Sequence, residues 1–195
     1  MKVLFVDTTT ADLVAAVVEE NKIYSVTDKA VGVRHSEALC GRVDEVLRQA
    51  GVAFADLDAY ACAVGPGSFT GIRIGVSTVK GYAAACKRPY IAVNCLDAVA
   101  VSATLGAIGY SVIDAGNGYY FRNTDGAICP SVIPYDDERA RGAACSNSAV
   151  EYFDGAVEII RERFNVGAFD DDLTPVYIRR SQAEITLQNK ERKND

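Results

Sequence analysis

The stretch Ala63–Gly75, AVGPGSFTGIRIG, sets four glycines and one proline between an apolar run and a helical pattern. The run before it, Ala59–Val64 (AYACAV), has the composition of a buried strand. The residues after it, from about Thr70 to Lys87, read as a helix. Strand, glycine-rich loop and helix in that order define an α/β unit, and the chemistry of the loop decides what kind. A phosphate loop of the NTPase type requires GxxxxGK[ST], so that a lysine and a hydroxyl reach the phosphates and Mg²⁺. Neither stands at that spacing, which excludes the reading. A dinucleotide fingerprint requires GxGxxG, and Gly71 comes one residue too late after Gly65 and Gly67. Two readings stay open. Gly67, Ser68 and Phe69 can offer backbone N–H groups to an anion at the helix start, with Arg73 one turn further in. Alternatively Gly71, Gly75, Ser77 and Thr78 form a small-residue face that lets another backbone approach.

Working outward, KVLFVD ends a first strand at Asp7, and LVAAVVEE and KIYSVTD follow as antiparallel neighbours across short turns. From Ser36 the period changes to that of a helix. Leu39, Val43, Val46, Leu47 and Ala50 share one stripe, with Ser36 as the expected N-cap and Gly51 as the stop. After the opening stretch, PYIAV is a strand and Cys95 to about Thr104 a third, apolar helix. The resulting pattern βββαβαβα predicts an α/β lobe with a mixed sheet. The second half begins the same way: YSVIDA, a hairpin signal at Asn117-Gly118, then YYFRNT. AICPSVIPY is read as a strand interrupted by prolines, and Ser148–Asn165 as an amphipathic helix. Both halves open strand–Asp–turn–strand, which hints at duplication. The expected division is 1–105 for the first lobe, 106–184 for a shortened second lobe and 185–195 for a charged, solvated tail.

Composition narrows the function classes. The 195 residues are 49% hydrophobic, enough for a packed core. Nothing approaches the roughly 18 apolar residues of a membrane span, and Val3–Val6 is too short for a signal-peptide core, so a cytoplasmic protein is expected. The formal net charge of −6 argues against tight nucleic-acid binding by this chain alone. Six cysteines (Cys40, Cys62, Cys86, Cys95, Cys129, Cys145) are widely spaced without a CxxC pair and read as reduced thiols. With His35 the only histidine, a zinc site is not expected. The neighbouring His35, Ser36 and Glu37 do not make a catalytic triad, whose members must converge from separate places; capping of the first helix is expected instead. Asp7 with Thr8, Thr9 and Thr10 admits two readings, a carboxylate holding a metal–phosphate complex or a hydrogen-bonded turn. Asp114 poses the same choice.

Taken together, FVDTTTADLVAAV, HSEALCGRVDEVLRQAG, VGPGSFTGIRIGVSTVKGYAAAC and PVYIRRSQAE resemble the TsaB (YeaZ) family. This is the non-catalytic subunit of the bacterial machinery that makes threonylcarbamoyladenosine (t6A) at position 37 of tRNA. The resemblance covers the first hundred residues or so and returns at Pro175–Glu184. It implies an actin-like ATPase fold (ASKHA, ribonuclease H-like, related to the former glycoproteases) with two related lobes, mixed sheets and flanking helices. It also implies a partner, the transferase TsaD, which carries a metal-binding HxxxH after the strand corresponding to PYIAVN. Here the sequence is NCLDAV, with Cys95 and Val99 in the two histidine places. One thiolate does not replace two imidazoles, and valine has no donor, so the expectation is no metal and no catalytic residue.

The implied role is to bind and activate TsaD, with the ATPase TsaE, and to meet tRNA only through that complex. No tightly bound cofactor is expected, only a weak ATP or ADP contact in the assembly at Asp7, Thr8, Thr9, Gly67, Ser68 and Arg73. TsaB-like chains pair through their first two helices, with TsaD or, when alone, as homodimers. The apolar residues expected at that interface are Leu39, Val43, Val46, Leu47, Ile72, Val76, Val79 and Ala83, some of which must face the chain's own core instead. The sequence departs from the family after Asp114, where DAGNGYYF replaces a basic run, and the late glycine motif is vestigial near Gly142. Two rival readings are an active ASKHA-type Mg–ATP phosphotransferase or ATPase gripping its nucleotide at Asp7 and Thr8–Thr10, and a metalloprotease.

Overall fold

Six residues from Lys2 to Asp7 form the central strand, because every side chain after Lys2 is apolar up to Asp7 and both faces of the strand are covered. In the computed structural model, which describes residues 1–30, 34–104, 110–123, 126–129 and 131–178, this strand, β1, pairs antiparallel with β2 (Leu13–Glu19). β2 pairs antiparallel with the edge strand β3 (Ile23–Asp28). On its other side β1 runs parallel to β4 (Ala59–Gly65), and β4 to β5 (Tyr90–Asn94), giving the order β3-β2-β1-β4-β5. The expected mixed sheet is therefore present. Parallel pairs need crossovers, and two helices supply them: α1 (His35–Ala50) and α2 (Phe69–Cys86).

The alternation of side chains across the sheet separates two cores. Leu4, Val6, Leu13, Ala15, Val17, Tyr60 and Cys62 point to the face covered by α1 and α2. Val3, Phe5, Val14, Ala16, Val18, Ala61 and Val93 point to the other face, which is covered by α3 (Cys95–Thr104) and α4 (Phe153–Asn165). The result is a three-layer α/β/α sandwich. Each aliphatic side chain buried this way contributes about 1.5–3 kcal/mol relative to exposure.

The second sheet is small. β6 (Ser111–Asp114) and β7 (Tyr119–Arg122) form the hairpin expected at Asn117-Gly118, with Gly118 at φ 146°. A two-residue strand, β8 (Ala144–Cys145), which the sequence pattern did not reveal, runs parallel to β6. AICPSVIPY gives isolated bridges at Ile128 and Ile133 rather than a strand, because prolines interrupt a regular ladder. After this sheet the chain returns to the first one. α4 packs across it, Asp170 bridges to Tyr90, and Leu173 is fully buried in the α1–α2 core.

Helix boundaries differ from the sequence reading in two places. Arg34, not Ser36, occupies the N-cap of α1, and no side chain caps it, so Ser36 lies inside the first turn and caps nothing. Ser148 is irregular and residues 149–152 are turns rather than helix, and here Ser148 and Ala149 hydrogen-bond to Asp12 and Thr10. Gly51 does end α1 as expected, in the left-handed conformation at φ 69°, with its N–H donating to the Arg48 carbonyl. The charged tail 185–195 lies outside the described residues.

α3 and α4 cross closely at Gly155, whose N–H donates to Ser102 Oγ at 2.9 Å. A methyl group there would overlap the Ala98 carbonyl oxygen and Ser102. Gly155→Ala is therefore expected to lower stability by about 1–3 kcal/mol despite its gain in helix propensity, read as a shift in the urea midpoint.

Candidate functional site

The turn between β1 and β2, Asp7 to Asp12, is the hub of the molecule. It touches the start of α2 on one side and the lead-in to α4 on the other. Towards α2, Ser68 N–H donates to the Thr9 carbonyl at 2.6 Å, and Thr8 Oγ1 donates to the Gly71 carbonyl at 2.7 Å. The glycines of the opening stretch make this approach possible. A Cβ on Gly67 would meet the Thr9 backbone, one on Gly71 the Thr8 carbonyl, and one on Gly75 would lie 2.6 Å from Thr8 Oγ1. Ser68 caps α2, its Oγ accepting from Gly71 N–H at 3.2 Å.

Towards α4, Asp7 is completely buried. Its Oδ1 accepts from Thr9 N–H at 2.8 Å and Thr9 Oγ1 at 2.7 Å, and its Oδ2 accepts from Tyr152 Oη at 2.8 Å. Burial pushes the Asp7 carboxyl above the usual carboxylate range, against the lowering effect of these donors. Cys95 Sγ sits 3.4 Å from Thr9 Oγ1, and its thiol is pushed up to about 12 by burial first and the Asp7 charge second. Burial likewise raises the Cys62 thiol and the Tyr152 phenol.

Five of the six residues expected to touch an anion or nucleotide thus meet at one place: Asp7, Thr8, Thr9, Gly67 and Ser68. They hold one another. The Ser68 amide that would receive an anion already receives a carbonyl, and the Asp7 oxygens are covered by Thr9 and Tyr152. Arg73 is elsewhere, on the exposed side of α2. Its guanidinium lies 4.0 Å from the centre of the Phe69 ring, and its Nε donates to Tyr177 Oη at 3.1 Å. Tyr177 belongs to the returning segment, which is fixed by Val176 N–H donating to the Val64 carbonyl at 2.8 Å and by Asp170 receiving Ala92 N–H at 2.7 Å.

The eight residues expected at a partner interface require a correction. Leu39, Val43, Val46, Leu47, Ile72, Val76, Val79 and Ala83 are all buried, none more than 5% exposed, and all pack in the chain's own core beneath the sheet. The outer faces of α1 and α2 carry different residues. Between the two helices runs an open groove of about 510 Å³, bordered by Ser36, Cys40, Phe69, Arg73, Ile74 and Ser77. Tyr152, on which the hub depends, escaped the sequence reading because a tyrosine before a helix carries no periodic or spacing signal.

A family model described as TsaD, tRNA N6-adenosine threonylcarbamoyltransferase, matches residues 18–127, more than half of the chain. The chain belongs to this family. Curated TsaD-family relatives include tRNA N6-adenosine threonylcarbamoyltransferase of Granulibacter bethesdensis, 44% identical over 87 residues covering 45% of this chain and 23% of that protein. The enzyme of the same name from Gluconobacter oxydans is 32% identical over 128 residues, 65% of this chain and 34% of that protein. The chain therefore spans only about a quarter to a third of these two relatives. Among solved structures, YeaZ from Pseudomonas aeruginosa superposes with a TM-score of 0.71 at 24% identity, covering 90% of this chain and all of YeaZ. That likeness establishes the fold, the actin-like one expected from the sequence.

The metal-binding HxxxH implied for TsaD-type enzymes does not fit the residues present. Cys95 is fully buried with its Sγ in hydrogen-bond contact with Thr9 Oγ1, and Val99 is an apolar core residue. Neither offers an imidazole nitrogen. No helix among the described residues is long and apolar enough to cross a membrane.

Proposed function

We propose that this TsaD-family chain is a non-catalytic partner that binds and activates a TsaD-type transferase in the N6-threonylcarbamoylation of adenosine 37 of tRNA, together with a TsaE-type ATPase. The observation that carries the proposal is the burial of Cys95 and Val99, the residues that the resemblance puts in the places of the two metal-binding histidines, neither of which can replace an imidazole. The self-contained hub at Asp7 supports it, because the groups that would grip Mg–ATP in the rival ATPase reading here hold Tyr152 and the start of α2. The chain acts in the cytoplasm, holds no cofactor tightly, and meets tRNA only within the complex. Its docking face is the outer side of α1 and α2 around the groove, which also joins two copies when the partner is absent.

The test is to combine TsaD, TsaE, threonylcarbamoyl-adenylate, ATP and tRNA with and without this chain, and to quantify the modified nucleoside. Formation that depends on the chain is expected; equal formation without it overturns the reading. Ser36→Arg combined with Ser77→Arg places two bulky charges on exposed positions beside the groove and should abolish co-elution with TsaD while leaving the melting temperature unchanged. The alternative, a phosphotransferase or ATPase using Asp7, is favoured instead if the purified chain turns over ATP with Mg²⁺ and Asp7→Ala abolishes the turnover.

A further inference from the structure

Arg73 is the one charged residue on the border of the groove between α1 and α2; the others there carry hydroxyl, thiol or hydrocarbon side chains. Two aromatic residues hold its guanidinium. Cζ lies 4.0 Å from the centre of the Phe69 ring and 5.8 Å from that of Tyr177, and the two ring centres are 4.7 Å apart. Nε donates to Tyr177 Oη at 3.1 Å. A guanidinium stacked by its face on a ring keeps its edges for hydrogen bonding. With Nε engaged, the fork of Nη1 and Nη2 remains, and a fork of this kind matches a carboxylate through two parallel N–H···O bonds. Among the described residues no carboxylate takes it, whereas Lys80, two turns further along α2, is paired with Asp172 at 2.6 Å.

Tyr177 is itself fixed. Leu173 is fully buried in the core beneath α1 and α2, and Val176 N–H donates to the Val64 carbonyl at 2.8 Å. These anchors set the ring against α2 from 104 residues further along the chain than Arg73. A long side chain that usually loses rotamer freedom on binding is thus ordered before any partner arrives.

We propose that Arg73, set by Phe69 and Tyr177, is the groove's receptor for a carboxylate, and that the groove takes a helix of the TsaD-type partner presenting one Asp or Glu among small and apolar residues. This rests on the docking face proposed above. The occupant's chemistry follows from the border. Leu39, Phe69 and Ile74 supply apolar contact, the short Ser36 and Ser77 let a third helix approach, and one positive charge calls for one negative charge. Docking strips water from Arg73, so an occupant without an acidic residue leaves a desolvated charge unpaired and is rejected. Tyr177 is a positioning residue that acts through Arg73.

Titration calorimetry of the full chain with purified TsaD, at low and high salt, tests this. The wild-type chain is expected to bind, with an affinity that falls as salt rises. Arg73→Ala should weaken binding about tenfold or more and flatten the salt dependence, and Arg73→Glu should weaken it further. Arg73→Lys should recover only part of the loss, because an ammonium offers no planar fork. Tyr177→Phe keeps the stack without the hydrogen bond and should cost less than Tyr177→Ala. Arg73 is exposed, so its variants should melt as the wild type does. Equal affinity and salt dependence for wild type, Arg73→Ala and Arg73→Glu overturn the proposal and leave the docking face standing. A wild-type chain that does not bind TsaD overturns both. If the Arg73 variants alter only self-association of the chain, the carboxylate belongs to a second copy and the proposal is likewise overturned.

Discussion

Gly71→Ala is expected to lose about 3 kcal/mol of stability or more, and to leave much of the protein insoluble on expression. The residue lies in the first turn of α2, where alanine would normally be favoured over glycine. Its missing side chain is the reason α2 reaches the Thr8 carbonyl, with which a methyl group would overlap. The strain does not relax locally. Thr8 Oγ1 donates to the Gly71 carbonyl, Ser68 N–H donates to the Thr9 carbonyl, and Thr9 in turn holds Asp7. Moving the helix outward breaks these bonds in sequence and exposes buried polar groups. Gly41→Ala and Gly81→Ala are the controls. Both sit within helices with open space where the methyl would go, and both should be neutral or stabilising by about 0.5–1 kcal/mol. Urea midpoints for the three variants decide the matter, and a small effect for Gly71→Ala would show that α2 shifts freely.

The second large effect concerns α2 further along. Val79→Glu is expected to unfold the chain, not simply to disconnect a partner. Val79 is completely buried against the sheet, and an unpaired carboxylate at such a site costs several kcal/mol, a large part of a typical total stability of about 5–15 kcal/mol. Ser77, two residues earlier on the exposed side, should accept arginine without a change in the circular dichroism melting curve. Loss of TsaD binding by Val79→Glu alone therefore says nothing about the docking face. Loss by Ser36→Arg with Ser77→Arg, in a folded protein, does.

Both predictions mark the boundary between what is readable along a chain and what needs three dimensions. The strands of the first sheet, its two crossover helices, the hairpin at Asn117-Gly118 and the glycine stop of α1 follow from local periodicity and turn chemistry, and they are present as read. The absence of phosphate-loop chemistry in AVGPGSFTGIRIG also follows from side-chain identity alone, since no fold supplies a missing lysine. That Cys95 and Val99 stand in the places of two histidines is what the family resemblance implies; that neither can act as an imidazole follows from side-chain identity.

Direction was not readable. The apolar stripe of α1 and the small, apolar face of α2 suit a sheet or a partner equally well, because a helix registers only that one face avoids water. The β1–β4 parallel pair places a sheet beneath both helices and consumes those stripes, so the residues left to a docking face on α1 and α2 are the mixed set that borders the groove: Ser36, Cys40, Phe69, Arg73, Ile74 and Ser77. The choice for the opening loop, anion or backbone, rested likewise on a neighbour remote in sequence, Thr9 for Ser68. The Thr9 carbonyl fills the place before Ser68 N–H, and Tyr152 closes over Asp7 from the far end of the chain. Residue types determined which reactions the loop cannot perform; long-range packing decided what its glycines and amides are for, because a hydrogen-bond donor is committed only when its partner arrives.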